Sequence, residues 1–202
     1  NSLNIYFFGG FIFLIGSFFL NINLLFKIFL FFMYLVGLAS DKNIIDSPKI
    51  RFILQLTIVI LSIIFLENFI SSTKIIIIDN FLNNYYFKIF FTALCLMILI
   101  NGSNFIDGVN LNLVGYYLSI SLILVVIGAY ENILLPYNFF YLIPWLLLIY
   151  ILNLGGKIIS GDSGAYVISY LFGYILIEFS NNNTNVSPIF IVLLLWYPAF
   201  EN

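Results

Sequence analysis

The chain has 202 residues, of which 63% are hydrophobic and only 8% charged, where soluble domains carry roughly one-quarter charged residues. With a mean hydropathy of +1.12, so apolar a chain needs lipid as its solvent, and the fold class expected is an all-α polytopic membrane protein. The net charge of −2 comes without a basic stripe, which argues against nucleic acid; the single Cys95 excludes an internal disulfide and a cysteine zinc site; the absence of histidine removes imidazole chemistry.

Apolar runs separated by polar breaks predict about eight transmembrane helices, at 5–20, 24–39, 50–67, 84–100, 111–130, 137–153, 164–179 and 187–199. The first two are joined only by Asn21-Ile22-Asn23, and Lys27 is placed to snorkel to the interface. Pro136 and Pro144 should start or kink the sixth span. Lys74-Ile75-Ile76-Ile77-Ile78-Asp79 is too short to span and reads as a short β-like segment at the surface. The whole of 1–202 reads as one transmembrane domain, truncated at both ends.

Eight spans sort the loops onto two sides. One side receives 21–23, 68–83, 131–136 and 180–186, a bland and asparagine-rich set. The other receives 40–49, 101–110, 154–163 and the C-terminal end, with Asp41, Asp46, Asp107, Asp162 and Glu201. Four of the seven Lys and Arg lie on or beside that second side, against three nearer the other, a small margin by which the positive-inside rule favours the second side as cytoplasmic.

Three loops on that side carry chemistry. In the first, Ser40-Asp41-Lys42 precedes Asp46-Ser47-Pro48-Lys49-Ile50-Arg51; Asp46 or Ser47 suits a helix cap, with Pro48 in the first turn. In the second, Asn101-Gly102-Ser103-Asn104-Phe105-Ile106-Asp107-Gly108-Val109-Asn110 suits a tight re-entrant turn, and its Asn-x-x-Asn-x-x-Asp spacing would set Asn101, Asn104 and Asp107 on one helical face. In the third, Gly155-Gly156-Lys157 leads to Gly161-Asp162-Ser163-Gly164. Its glycines admit close backbone approach, free N–H groups at a helix start favour phosphate, and Asp162 or Ser163 could cap that helix. The spacing of a nucleotide P-loop is absent. Clustered carboxylates without histidine or cysteine ligands suit a hard cation such as Mg2+, which typically binds one or two carboxylates plus phosphate oxygens. Lys49 and Lys157 could balance remaining phosphate charge.

Gly37-Leu38-Ala39-Ser40-Asp41-Lys42 with Ser47-Pro48-Lys49-Ile50-Arg51, then Asn101-Gly102-Ser103-Asn104-Phe105-Ile106-Asp107-Gly108, then Lys157-Ile158-Ile159-Ser160-Gly161-Asp162-Ser163-Gly164, closely resemble, in order, motifs of the polyprenyl-phosphate N-acetylhexosamine-1-phosphate transferases. Tyr197-Pro198-Ala199-Phe200-Glu201-Asn202 resembles a later motif, and Gly9-Gly10 matches a glycine pair of an early span. The resemblance covers essentially the whole chain. It implies transfer of a sugar 1-phosphate from a UDP-sugar to undecaprenyl phosphate, with release of UMP, at cytoplasmic loops of a bacterial inner-membrane enzyme of cell-wall or lipopolysaccharide biosynthesis. It also implies Mg2+, with Mn2+ as the alternative. By the same resemblance Asp41, Asp107 and Asp162 are the catalytic candidates, with Asp162 and Asp107 as metal ligands. Lys49, Asn101, Asn104, Lys157, Gly161 and Ser163 are the substrate-binding candidates. The implied partners are a UDP-N-acetylhexosamine, a polyprenyl phosphate and the membrane, with no nucleic acid and a homodimer as the assembly to look for.

Three positions depart from the family pattern. Ser40 stands where the first of two adjacent aspartates is usual, Ile159 where an aromatic is usual, and Leu111 where a glycine is usual. The family's histidine-rich loop would fall beyond Asn202, so the chain reads as a fragment of an active enzyme. A transporter or channel, and an inactive homologue, are the competing readings. A transporter would place its ionisable groups near the bilayer midplane, whereas Asp41, Asp107 and Asp162 fall at span ends.

Overall fold

The computed structural model describes residues 9–107, 111–130, 137–155, 159–183 and 185–200. Among these residues the chain forms helices and no strand: α1 (Gly9–Phe18), α2 (Leu24–Asp41), α3 (Pro48–Leu66), α4 (Ile76–Leu82), α5 (Tyr85–Ile106), α6 (Asn112–Tyr130), α7 (Tyr137–Leu154), α8 (Gly161–Asn182), α9 (Pro188–Leu194) and α10 (Trp196–Phe200). Five of them, α2, α3, α5, α6 and α8, are long and apolar enough to cross a membrane. The expected eight spans therefore appear as five full-length apolar helices, the shorter apolar α1 and α7, and a divided last segment.

The division has a cause. Pro198 has no N–H to offer the carbonyl of Leu194 four residues back. The Tyr116 hydroxyl donates to that carbonyl instead, and the helix breaks at Leu195. Pro144 lies inside α7, and Pro136 lies outside the described residues. Lys27 reaches back to the end of α1, its Nζ donating to Phe18 O at 3.0 Å and lying over the Phe18 ring. A cation there meets the negative end of the helix dipole.

Two expectations are corrected. The run 74–79 is not β-like: from Ile76 it is the helix α4. An isolated strand would leave its N–H and C=O groups unpaired, while Asp79 binds the turn before the helix, accepting from Thr73 N at 2.6 Å and Lys74 N at 3.1 Å. Likewise 101–106 is no re-entrant turn. Helix α5 runs on to Ile106, because Gly102 and Ser103 are buried in the bundle and the Ser103 hydroxyl pairs with the Tyr117 hydroxyl at 2.6 Å. Packing outweighs the modest helix cost of glycine, asparagine and serine, about 1 kcal/mol each or less.

Helix α8 is the axis of the bundle. Its apolar stretch is 83% buried, against 22% for α3, although α3 is the more hydrophobic of the two; in lipid an apolar helix can stay outside, while polar side chains face the bundle interior. It packs on α2, α1 and α5, while α6 packs on α7 and α10 on α5. Close approach at one end depends on glycine: a Cβ on Gly10 would stand 2.7 Å from the Ser163 carbonyl carbon, and one on Gly37 would overlap the Ser163 backbone. Small residues of this kind let helix backbones touch in a membrane, where apolar burial gives no preference for protein over lipid.

Candidate active site

The tight end of the bundle is also the acidic end. Helix α2 finishes at Asp41, where Asn43 turns the chain with a left-handed φ of 53°. A carboxylate at a helix C-terminus opposes the helix dipole, so the local sequence alone gives no reason for it. The reason is across the bundle. Asp41 Oδ1 accepts from Asp162 N at 2.8 Å and Oδ2 from Ser163 N at 3.1 Å. The carboxylate thus caps the N-terminus of α8, where free N–H groups and the positive end of the dipole favour an anion. The cap expected from Asp162 or Ser163 is not formed; the residue before the helix is Ser160, which makes no side-chain cap bond either. At α3 the expectation holds in part, since Ser47 precedes the helix and Pro48 opens it, without a side-chain cap bond.

Asp162 lies in the first turn of α8. Its Oδ2 receives the Ser40 hydroxyl, an Arg51 Nη1 ion pair at 2.6 Å and, more distantly, the Tyr166 hydroxyl at 3.4 Å. Arg51 also donates to Ser40. Ser40, in place of a second aspartate, therefore binds the carboxylate it would otherwise repel. The ion pair keeps 23% and 25% of its side chains exposed, open enough for solvent or substrate to reach and worth under about 1 kcal/mol to stability.

Asp107 follows the last residue of α5. Burial pushes its carboxyl up to about 8; the Ser160 hydroxyl and Gly161 N–H oppose that rise, and the Asp162 and Asp41 charges add to it. Those mutual effects place the three aspartates within electrostatic reach of one another. Loops 40–49, 101–107 and 159–163 thus converge at one end of the bundle, as their alternation predicts. At the other end Asn21 meets Asn138 and Asn181 meets Phe69 and Ser71.

The remaining sequence candidates divide. Gly161 and Ser163 are in the site, Gly161 with a left-handed φ of 66° and Ser163 through its N–H. Asn104 is half-buried one turn before Asp107. The Asn101 amide donates to Met97 O at 2.8 Å within its own helix. Lys49 is exposed, and the cation that meets Asp162 is Arg51. Two residues along a helix turn a side chain about 200°, so Lys49 and Arg51 point to different sides. Lys157 lies outside the described residues. Arg51, Ser40 and Tyr166 carry no role in the sequence reading. The spacing of four between Asp162 and Tyr166 was the available signal for Tyr166.

Among the described residues no three acidic or cysteine side chains form a complete metal cage. The donor set still fits a cation that takes two carboxylates and completes its shell from phosphate. Asp162 uses only Oδ2 in the contacts above, and the half-buried Asp107 has neighbouring carboxylates and the Ser160 hydroxyl and Gly161 N–H around it.

A family model described as glycosyl transferase family 4 matches residues 7–180. No curated protein and no solved structure matches the chain.

Proposed function

Because the chain belongs to glycosyl transferase family 4, the polyprenyl-phosphate sugar-1-phosphate transferases, we propose that it transfers an N-acetylhexosamine 1-phosphate from a UDP-sugar to undecaprenyl phosphate, releases UMP and so begins a cell-envelope polysaccharide. The five apolar helices make it a multi-pass membrane protein. On this reading it sits in the bacterial inner membrane with the acidic end toward the cytoplasm. The observation that carries the proposal is the convergence of Asp41, Asp107 and Asp162 with Arg51 at one end of the bundle.

In the reaction an acceptor phosphate oxygen bonds to the phosphorus that carries the sugar, and the bond from that phosphorus to the UMP oxygen breaks. Both reactants are anions, so the site must neutralise them and hold them in line. Arg51, partly exposed beside Asp162, supplies a fixed positive charge for phosphate. Asp41 has both oxygens occupied by N–H groups of α8. Its role is therefore to hold the Asp162 turn in place, a positioning role in preference to that of a base. Asp162 and Asp107 would hold Mg2+, or Mn2+ in its place, which when bound supplies the charge neutralisation that phosphoryl transfer requires.

The test is UMP release by membranes bearing the full protein, supplied with UDP-N-acetylglucosamine, undecaprenyl phosphate and Mg2+. Asp162→Asn and Asp107→Asn are each expected to lower kcat about a hundredfold or more, the loss seen when one charge-stabilising group is removed from an active site. Release that continues unchanged in both variants would refute the assigned roles. Other UDP-sugars in the same assay identify the donor.

A further inference from the structure

Helix α3 packs on α2 and α5 and reaches α8 through long side chains. It buries only Gln55, Val59, Ser62 and Ile63, and two of these four are polar. A polar side chain away from water is costly unless it is bonded. Both are bonded to tyrosines of α8: the Gln55 side chain to the Tyr166 hydroxyl, and Ser62 to the Tyr170 hydroxyl.

Arg51 and Gln55 stand four residues apart on α3, and Asp162 and Tyr166 four apart on α8, so each pair shares one helix face. The Arg51–Asp162 ion pair and the Gln55–Tyr166 bond are therefore successive rungs between the two helices. One contact joins the rungs, because the Tyr166 hydroxyl lies 3.4 Å from Asp162 Oδ2. The Ser40 hydroxyl and Arg51 meet that same oxygen. Tyr166 is 2% exposed and Gln55 fully buried, so each acts on a reaction at the surface of the site only through Asp162.

We propose that Gln55 and Tyr166 are positioning residues for Asp162. A phenol has one proton to give and an oxygen that accepts. The Gln55 amide donates to the Tyr166 oxygen, the phenolic proton is turned onto Asp162 Oδ2, and Oδ1 is kept for the site. The hold on Asp162 stands whether or not the chain transfers a sugar phosphate; its effect on transfer rests on the transferase reading above.

Two measurements separate these. The first needs no substrate: 13C NMR of the full protein in lipid nanodiscs, labelled at the aspartate carboxyl carbons, with the Asp162 signal identified by its loss in Asp162→Asn. That signal is expected to move in Tyr166→Phe and, in the same direction, in Gln55→Leu. Tyr170→Phe removes a hydroxyl one turn farther along the same face and should leave it in place. The second is UMP release. Tyr166→Phe should lower kcat about tenfold, the worth of one hydrogen bond to a charged group, with KM for both substrates unchanged. Gln55→Leu added to Tyr166→Phe should lower kcat no further, because Gln55 acts through Tyr166, and Tyr170→Phe should leave kcat unchanged. An Asp162 signal that Tyr166→Phe does not move, or that Tyr170→Phe moves as far, overturns the proposal. So does an active parent whose kcat survives Tyr166→Phe. A signal that moves as expected in a protein that releases UMP from no UDP-sugar upholds the hold on Asp162 and overturns the transferase reading instead.

Discussion

Asp41 and Asp79 do similar chemistry at opposite ends of the molecule. Each is a carboxylate that accepts backbone N–H groups near the start of a helix. Asp79 gathers the Ser72 and Thr73 hydroxyls and the N–H groups of Thr73 and Lys74, all within seven residues of itself. Asp41 gathers two N–H groups, 121 and 122 residues away. The first arrangement is a locally stapled turn that asks nothing of the bundle. The second exists only when α2 and α8 touch, so the acidic site is only as sound as the helix packing beneath it. The two ends should therefore respond differently to small changes.

The largest effect is expected at Gly37. A Cβ there would overlap the Ser163 backbone, and backbone cannot yield as a side-chain tip can. Gly37→Ala should cost about 3 kcal/mol, the upper range for overpacking, and should lower transfer activity by displacing the helix start that Asp41 holds. Gly115 is the control. The nearest atom to a Cβ there is Tyr150 Cε2, on a ring, at 3.3 Å. Gly115→Ala should be near neutral or gain from helix propensity, by up to ~1 kcal/mol. Denaturation of both variants in detergent micelles reads the difference, and equal costs would show that the backbone contact with Ser163 is not what makes Gly37 sensitive.

Much of this was legible in the sequence, and the exceptions share a cause. The apolar runs mark the helices, their alternation brings the acidic loops to one end, and the motif order points to the family. What escapes is what depends on pairs distant in the chain. Lys49 and Arg51 are equally cationic and two residues apart, and only the facing of α3 against α8 selects Arg51. Ser40 looks like a lost carboxylate until its hydroxyl is found on Asp162. Asn101 and Gly102 look like turn formers until burial of Gly102 and Ser103 keeps α5 helical. The isoleucines of 75–78 have strong β propensity, but a strand needs a partner, and Asp79 supplies a helix start instead.

A smaller effect, of opposite sign, is expected at the acidic end. Leu111 has a φ of 71°, left-handed backbone that costs a residue with a side chain about 1–2 kcal/mol and glycine almost nothing. Leu111→Gly should stabilise the protein by about 1 kcal/mol, less than the full strain because glycine also widens the unfolded ensemble. A variant no more stable than the parent would show that Leu111 packs well enough to offset its backbone. The long-range end would then hold less strain than its dihedral angle implies.

The smallest effect belongs to Asp79, because its turn is local and at the surface. Hydrogen bonds from the Thr73 backbone and from the Ser72 and Thr73 hydroxyls hold its carboxyl below the usual carboxylate range. A depressed folded value means that the folded form favours the charged carboxylate. Its contribution is therefore complete above the unfolded value of about 3.9 and is lost as pH falls through the lower folded value. Hydrogen exchange at the Thr73 and Lys74 amides should accelerate in Asp79→Asn, relative to the parent, at neutral pH. The gap should close as the parent is acidified below pH ~4, since a protonated Asp79 resembles the asparagine. Exchange at Asp162 and Ser163, held by Asp41 at the far end, should not respond to Asp79→Asn. If it did, the turn at Asp79 would be coupled to the bundle after all, and the separation between a local staple and a long-range joint would fail.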